Sequence, residues 1–203
     1  MSKVKTAFFC SHCGYESAKW VGKCPACQQW NTFVEEVLHK EGSKTENQWK
    51  DYRQEKRASH IIALDEVVAA AEPRMVTSDP ELNRVLGGGI VPGSIILVAG
   101  EPGIGKSTLF LQTGLRLQQQ KVLYVSGEES EQQIKMRADR LQITHEHFYI
   151  LTETSTQTIF QELKKLQPDL LIVDSIQTLQ TASIEASPGS ISQIRECAAE
   201  LQR

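Results

Sequence analysis

Gly100-Glu101-Pro102-Gly103-Ile104-Gly105-Lys106-Ser107 matches G-x-x-x-x-G-K-[ST] at every position, and its surroundings decide the fold. The stretch follows the apolar run Ile95-Ile96-Leu97-Val98-Ala99 and precedes a helical pattern. Strand, phosphate-binding loop and helix are therefore expected in succession. Glycines let the backbone wrap closely around phosphate oxygens and turn successive N–H groups inward. A helix starting near Lys106 aims its positive dipole end at the same anion. Lys106 adds a point charge for the β- and γ-phosphates, and the Ser107 hydroxyl is placed to ligate Mg²⁺.

Further along, short apolar runs alternate with helical patterns. Val122–Val125, Tyr149–Leu151 and Leu170–Val173 read as buried strands. Between them Ile134, Ala138 and Leu141, and then Ile159, Leu163 and Leu166, each mark one apolar helical face. Ile191, Ile194, Ala198 and Leu201 mark another near the end of the chain. Upstream, Ser78-Asp79-Pro80-Glu81 reads as a helix start, with the stop at Gly87-Gly88-Gly89. Continuous apolar strands separated by amphipathic helices imply an α/β fold with a parallel sheet covered on both faces.

A phosphate-binding loop of this type needs an acidic partner for Mg²⁺. Asp174, ending the run Leu170–Val173, supplies it at the sheet edge where α/β proteins bind ligands. Hydrolysis also needs a group that orients or deprotonates water. Glu128 is the first candidate and Glu129 the second, both in the turn after Val122–Val125. Two solvated acids at a helix start would look the same in sequence. Arg137, Arg140 and Lys135 read as a solvated helix face. Ser183–Ser190 reads as a polar surface loop or one that touches a polymer. His145 and His147 read as surface residues, and Cys197 as a core residue.

Four of the five cysteines form Cys10-x-x-Cys13 and Cys24-x-x-Cys27, with ten residues between the pairs. Two such turns close a tetrahedral S₄ site, best suited to zinc and also compatible with iron. A metal supplies folding energy that so small a unit lacks in core. Trp20, Lys19, Lys23 and Trp30 surround the site. Packing of the tryptophans into the ribbon core is the simpler expectation, and stacking on single-stranded nucleic acid the alternative. Three units follow: a Cys₄ ribbon over 1–38, a polar linker over 39–59 and an α/β domain over 60–203.

The 203 residues carry a net charge of −3, which excludes a global basic field for nucleic acid and confines any such contact to a local patch. Apolar and charged shares of 40% and 23% exclude a coiled coil, a collagen-like chain and a disordered tail. The apolar runs are too short to span a bilayer, and the first ten residues lack a signal-peptide apolar region. A cytoplasmic protein without membrane contact is expected, with cysteines that serve as metal ligands or free thiols.

The ribbon, ELNRVLGGGIVPGSIILVAGEPGIGKST (81–108), YVSGEES (124–130), QIKMRADRL (133–141) and LLIVDSIQT (170–178) closely resemble, in that order, the RadA (Sms) family of bacterial DNA repair proteins. The lead into the loop is shared more loosely with RecA-like ATPases. The resemblance covers essentially the whole chain and implies a RecA-like P-loop ATPase core. It implies a DNA-dependent ATPase that drives branch migration of recombination intermediates. Single-stranded or branched DNA, a RecA-type recombinase and a hexameric ring of like subunits are the implied partners. ATP would lie along Gly100, Glu101, Pro102, Gly103, Ile104, Gly105, Lys106, Ser107 and Thr108, with Asp174 as the Mg²⁺ partner. Glu128 matches the catalytic glutamate, with Lys106 beside it in catalysis. Ser183–Ser190 falls where RecA-like proteins carry a DNA-contacting loop. The family's K-N-R-F-G motif and Lon-protease-like domain have no counterpart in residues 1–203, so the front part of a longer protein is expected. A RecA-like regulatory ATPase switch and a non-hydrolysing zinc- and nucleotide-binding module for DNA are the competing readings.

Overall fold

The computed structural model describes residues 5–38, 63–66 and 73–203. The expected linker, 39–59, lies outside them. The first unit is a three-stranded antiparallel sheet of β1 (Lys5–Cys10), β2 (Glu16–Ser17) and β3 (Phe33–Leu38), ordered β2-β1-β3. Cys10, Cys24 and Phe33 form its small core.

α1 (Pro80–Val85) begins as its sequence directs. The Asp79 side chain accepts from the N–H groups of Glu81 and Leu82, and Pro80 takes the first helical position. α2 (Lys106–Arg116) starts at the last residues of the phosphate-binding motif. Then follow β4 (Val122–Ser126), α3 (Glu131–Leu141), β5 (Phe148–Thr152), α4 (Thr156–Leu166), β6 (Leu170–Asp174) and α5 (Ile191–Gln202). The sheet is parallel, in the order β5-β4-β6.

β4 is buried along its whole length, and its side chains alternate between two cores. Val122 and Tyr124 pack with Leu111, Leu115, Leu117, Ile134 and Ile172 on the face covered by α2 and α3. Leu123 and Val125 pack with Ile159, Leu179 and Cys197 on the face covered by α4 and α5. The chain leaves β4 toward β5 over one face and returns to β6 over the other. That change of face keeps both crossovers of one hand while the direction along the sheet reverses. The reversal places the turns after β4 and β6 side by side, the position where open α/β sheets receive ligands.

One expected element does not form. Ile95–Ala99 pairs with no strand among the described residues, and Ile95 and Leu97 are 58% and 79% exposed. An apolar run fixes a preference for burial. A strand also needs its N–H and C=O groups paired with a neighbouring edge, and this run does not join the outer edge of β6, which has no strand beside it among the described residues. No helix among the described residues is long and apolar enough to cross a membrane.

Candidate nucleotide site and metal centre

The loop that precedes α2 holds the backbone shape its glycines predict. Gly103 and Gly105 adopt φ of 80° and 101°, the left-handed region where a side chain is strained. Apart from the adjoining residues, no atom lies within 4 Å of where a Cβ would stand on either, so the cradle is open. Lys106 arches back over it and donates to the carbonyls of Gly100 and Glu101, both at 2.8 Å. A cation thus sits at the loop mouth, above the N-terminus of α2. This arrangement fits a polyphosphate.

Register explains where Asp174 points. It lies opposite Ser126 at the end of β6, two residues after Ile172, which packs on the α2 face. With a side-chain period of two, Asp174 faces the same side as the phosphate-binding helix. One oxygen, Oδ2, accepts from the Tyr124 hydroxyl at 2.5 Å, and the other has no hydrogen bond among the described residues. The peptide between Asp174 and Ser175 is cis. A carboxylate with one bound and one open oxygen, on the face of Ser107's helix, fits a magnesium partner.

The two glutamates of the β4–α3 turn have different surroundings. Ser126 Oγ accepts from the N–H groups of Glu128 and Glu129 at 3.4 and 3.1 Å, which tightens the turn. A Cβ on Gly127 would stand 2.2 Å from Thr178 Oγ1, so only glycine lets the turn pass here. Ser130 then caps α3 reciprocally with Gln133. Glu128 is exposed and accepts from the Ser175 hydroxyl at 2.9 Å, which sets it beside the end of β6. Glu129 instead makes an ion pair with Arg137 of α3. Arg137 therefore departs from the solvated face expected of it, whereas Lys135 does pair along the helix with Asp139. A cleft of about 330 Å³ opens over the turn, lined by Glu128, Glu129 and Glu153.

Two features had no sequence signal strong enough to find them. Tyr124 reads as one more apolar strand residue until its hydroxyl is seen on Asp174. The root of the Ser183–Ser190 loop is tied down by α5. Glu200 accepts from the hydroxyls of Thr156, Thr181 and Ser183 at 2.6 to 2.8 Å. The buried Gln193 side chain bonds the backbone of Thr181, Ile184 and Ala186. Both look like ordinary polar positions of an amphipathic helix. Cys197 is buried in the core as expected, its thiol pushed up to about 11 by burial and then by Glu200 and Glu196.

In the ribbon, the sulfurs of Cys10, Cys13, Cys24 and Cys27 all lie within 4.8 Å of one another. Cys10 to Cys27 and Cys13 to Cys24 are each 3.6 Å. A zinc tetrahedron with Zn–S of about 2.3 Å has an edge of roughly 3.8 Å, so the four sulfurs fit that ion. The two knuckles repeat one geometry. Gly14 and Gln28 N–H groups donate to the carbonyls of Cys10 and Cys24, both at 2.8 Å. Burial opposes ionisation of Cys10, but the Thr32 hydroxyl and neighbouring backbone groups outweigh it and hold the thiol down at about 6. At Cys13 the Tyr15 backbone favours the thiolate, yet burial and the other three sulfurs push it up to about 12. Four adjacent thiolates need a cation between them. His145 and His147 join no such cluster; among the described residues the cysteines form the one group of three or more His, Cys, Asp or Glu side chains close enough to share a metal.

The ribbon tryptophans differ from expectation. Trp20 and Trp30 are 55% and 68% exposed, and both ring edges flank Gly22. Lys23 Nζ stands 5.6 Å from the Trp30 ring centre. The sulfurs and Phe33 fill the small core, which leaves no space inside for two indoles.

Residues 8–35 match a rubredoxin metal-binding domain family, and residues 75–196 match the ATPase family described as KaiC. Over its whole length the chain is 51% identical to a protein of Halalkalibacterium halodurans named DNA repair protein RadA. It is 45% and 46% identical to proteins of the same name from Listeria monocytogenes and Bacillus subtilis. The chain spans 44% of the length of each of these relatives. With a parallel α/β sheet, an open phosphate-binding loop and a four-cysteine ribbon before it, the chain belongs to the KaiC family of RecA-like ATPases and is similar throughout to proteins named RadA.

Proposed function

We propose that this chain carries the nucleotide-hydrolysing core of a DNA-dependent ATPase in recombinational DNA repair, one that moves branched intermediates by ATP-driven branch migration. One observation supports the reading above the others: Asp174 lies opposite Ser126 at the end of β6 and Glu128 accepts from the adjoining Ser175, so both acids stand at the adjacent ends of β6 and β4, on the sheet that carries the phosphate-binding helix. ATP would lie along Gly100–Thr108, and the Ser107 hydroxyl and Asp174 would hold Mg²⁺. Glu128, linked to Ser175 and open to solvent, would orient the attacking water. When bound, Mg²⁺ would supply charge neutralisation for the phosphates. Zinc would be held by Cys10, Cys13, Cys24 and Cys27. The names of the relatives support the DNA-repair role. Single-stranded or branched DNA, a RecA-type recombinase and a hexameric ring of like subunits complete the proposal, in the cytoplasm.

The test is ATP hydrolysis by zinc-loaded protein with and without single-stranded DNA, beside Glu128→Gln. Turnover is expected to rise with DNA. In Glu128→Gln it should fall at least 10²-fold while nucleotide affinity stays within a factor of about three, because general-base assistance contributes roughly 10²–10⁴-fold. Equal turnover in the variant would remove Glu128 from this role. Turnover indifferent to DNA would favour the second reading, a slow regulatory switch, which the KaiC match over residues 75–196 keeps in view.

The exposed Trp20–Lys23–Trp30 face is the ribbon's candidate contact with a DNA strand. Stacking on aromatic rings contributes about 1–3 kcal/mol per base. Trp20→Ala with Trp30→Ala is expected to weaken binding of a dT₂₀ oligonucleotide at least tenfold while zinc content stays at one per chain. Unchanged affinity, measured by fluorescence anisotropy, would take DNA away from this face.

A further inference from the structure

Tyr124 occupies the middle of the buried central strand, where a phenylalanine would pack as well. Its ring lies among Leu111, Leu115, Val122, Ile134 and Ile172, and 6.1 Å from the Phe148 ring. A hydroxyl in such a place costs free energy unless it finds a partner. The partner it finds is the carboxylate of Asp174, 50 residues away in sequence and 2.5 Å away in space. Burial, then the Asp174 charge, pushes the Tyr124 hydroxyl above the usual phenol range, so it remains a donor. Arg137 of α3 stands beside the same hydroxyl and ion-pairs with Glu129. The second Glu129 oxygen is buried without a partner among the described residues. A line of polar groups thus runs from the β4–α3 turn through α3 and β4 to the end of β6.

We propose that Tyr124, braced by the Arg137–Glu129 pair, is the positioning residue for Asp174, and that α3 thereby helps set the affinity of this site for a magnesium–nucleotide complex. The inference rests on the nucleotide reading above and deepens it. By holding Oδ2, the hydroxyl fixes the carboxylate rotamer and leaves the other oxygen free for a cation. It also separates the roles of the two glutamates. Glu129 anchors Arg137 and so belongs to the support of the site, whereas Glu128 is the one open to the reacting water.

The experiment is equilibrium binding of a fluorescent ATP analogue to the whole chain, once with Mg²⁺ and once with EDTA. It compares wild type, Tyr124→Phe and Arg137→Gln. A hydrogen bond to a charged group is strong enough for Tyr124→Phe to weaken the Mg²⁺-dependent affinity about tenfold or more. The EDTA affinity should stay unchanged, and the Mg²⁺ concentration at half-saturation should rise. Arg137→Gln should shift the same readout in the same direction by less, and the double variant should fall short of the product of the two. A packing role alone would weaken both affinities together, and that result overturns the inference. So does unchanged Mg²⁺ dependence in folded Tyr124→Phe. If the wild-type chain itself binds the analogue no better with Mg²⁺ than with EDTA, the nucleotide reading falls, and this inference falls with it.

Discussion

Lys106→Ala is expected to lower ATP turnover by roughly 10²–10³-fold, the cost of removing one preorganised donor from a developing phosphate charge. The side chain reaches the carbonyls of Gly100 and Glu101, so it is held above the cradle before any anion arrives. Its bonds are to the loop alone, and the core formed by Leu111, Leu115 and Leu117 lies farther along. Truncation should therefore leave the unfolding temperature nearly unchanged, since substitutions away from core and caps cost within about 0.5 kcal/mol. Nucleotide affinity should fall along with turnover, which separates this variant from Glu128→Gln. Phosphate release by purified Lys106→Ala at a rate near wild type would refute the assignment of Gly100–Ser107 as the working phosphate site.

Loss of zinc is the second large effect, and it should be confined to one end of the chain. Cys24→Ala removes a buried ligand from a unit whose core is little more than Cys10, Cys24 and Phe33. Structural zinc contributes on the order of 10–16 kcal/mol to folding in finger-like peptides, far more than so small a core supplies. Zinc content should drop from one ion per chain to near zero, and residues 5–38 should become open to limited proteolysis. The parallel sheet, with its own two cores, should keep its unfolding temperature. Acidification should release the metal in the same way, because protons compete for the thiolates. A zinc-free protein that still protects residues 5–38 would show that the ribbon folds without its metal.

The elements legible from residues alone share a short physical range. The phosphate-binding loop follows from glycines that permit positive φ next to a helix start. The Cys₄ centre follows from two turns of fixed length, and its 3.6 Å sulfur spacings were implicit in the spacing of the cysteines. The start of α1 follows from Asp79, whose side chain caps the helix it precedes. The strands β4, β5 and β6 follow from apolar runs of the right length. Asp174 was legible because it ends one of them.

What the tertiary structure alone decided depends on partners far away in the chain. Ile95–Ala99 has the composition of a strand, yet it pairs with no strand among the described residues, because pairing is a property of two segments. Trp20 and Trp30 had the look of core residues, yet the four sulfurs and Phe33 already fill the small space inside. Glu128 and Glu129 are neighbours of one chemistry. They diverge because Ser175 meets one and Arg137 the other. The hydroxyl of Tyr124 gains its meaning only when the β4–β6 register brings Asp174 within 2.5 Å. Local conformation is encoded where it occurs, whereas the partner of a side chain is chosen by the packing of the whole sheet.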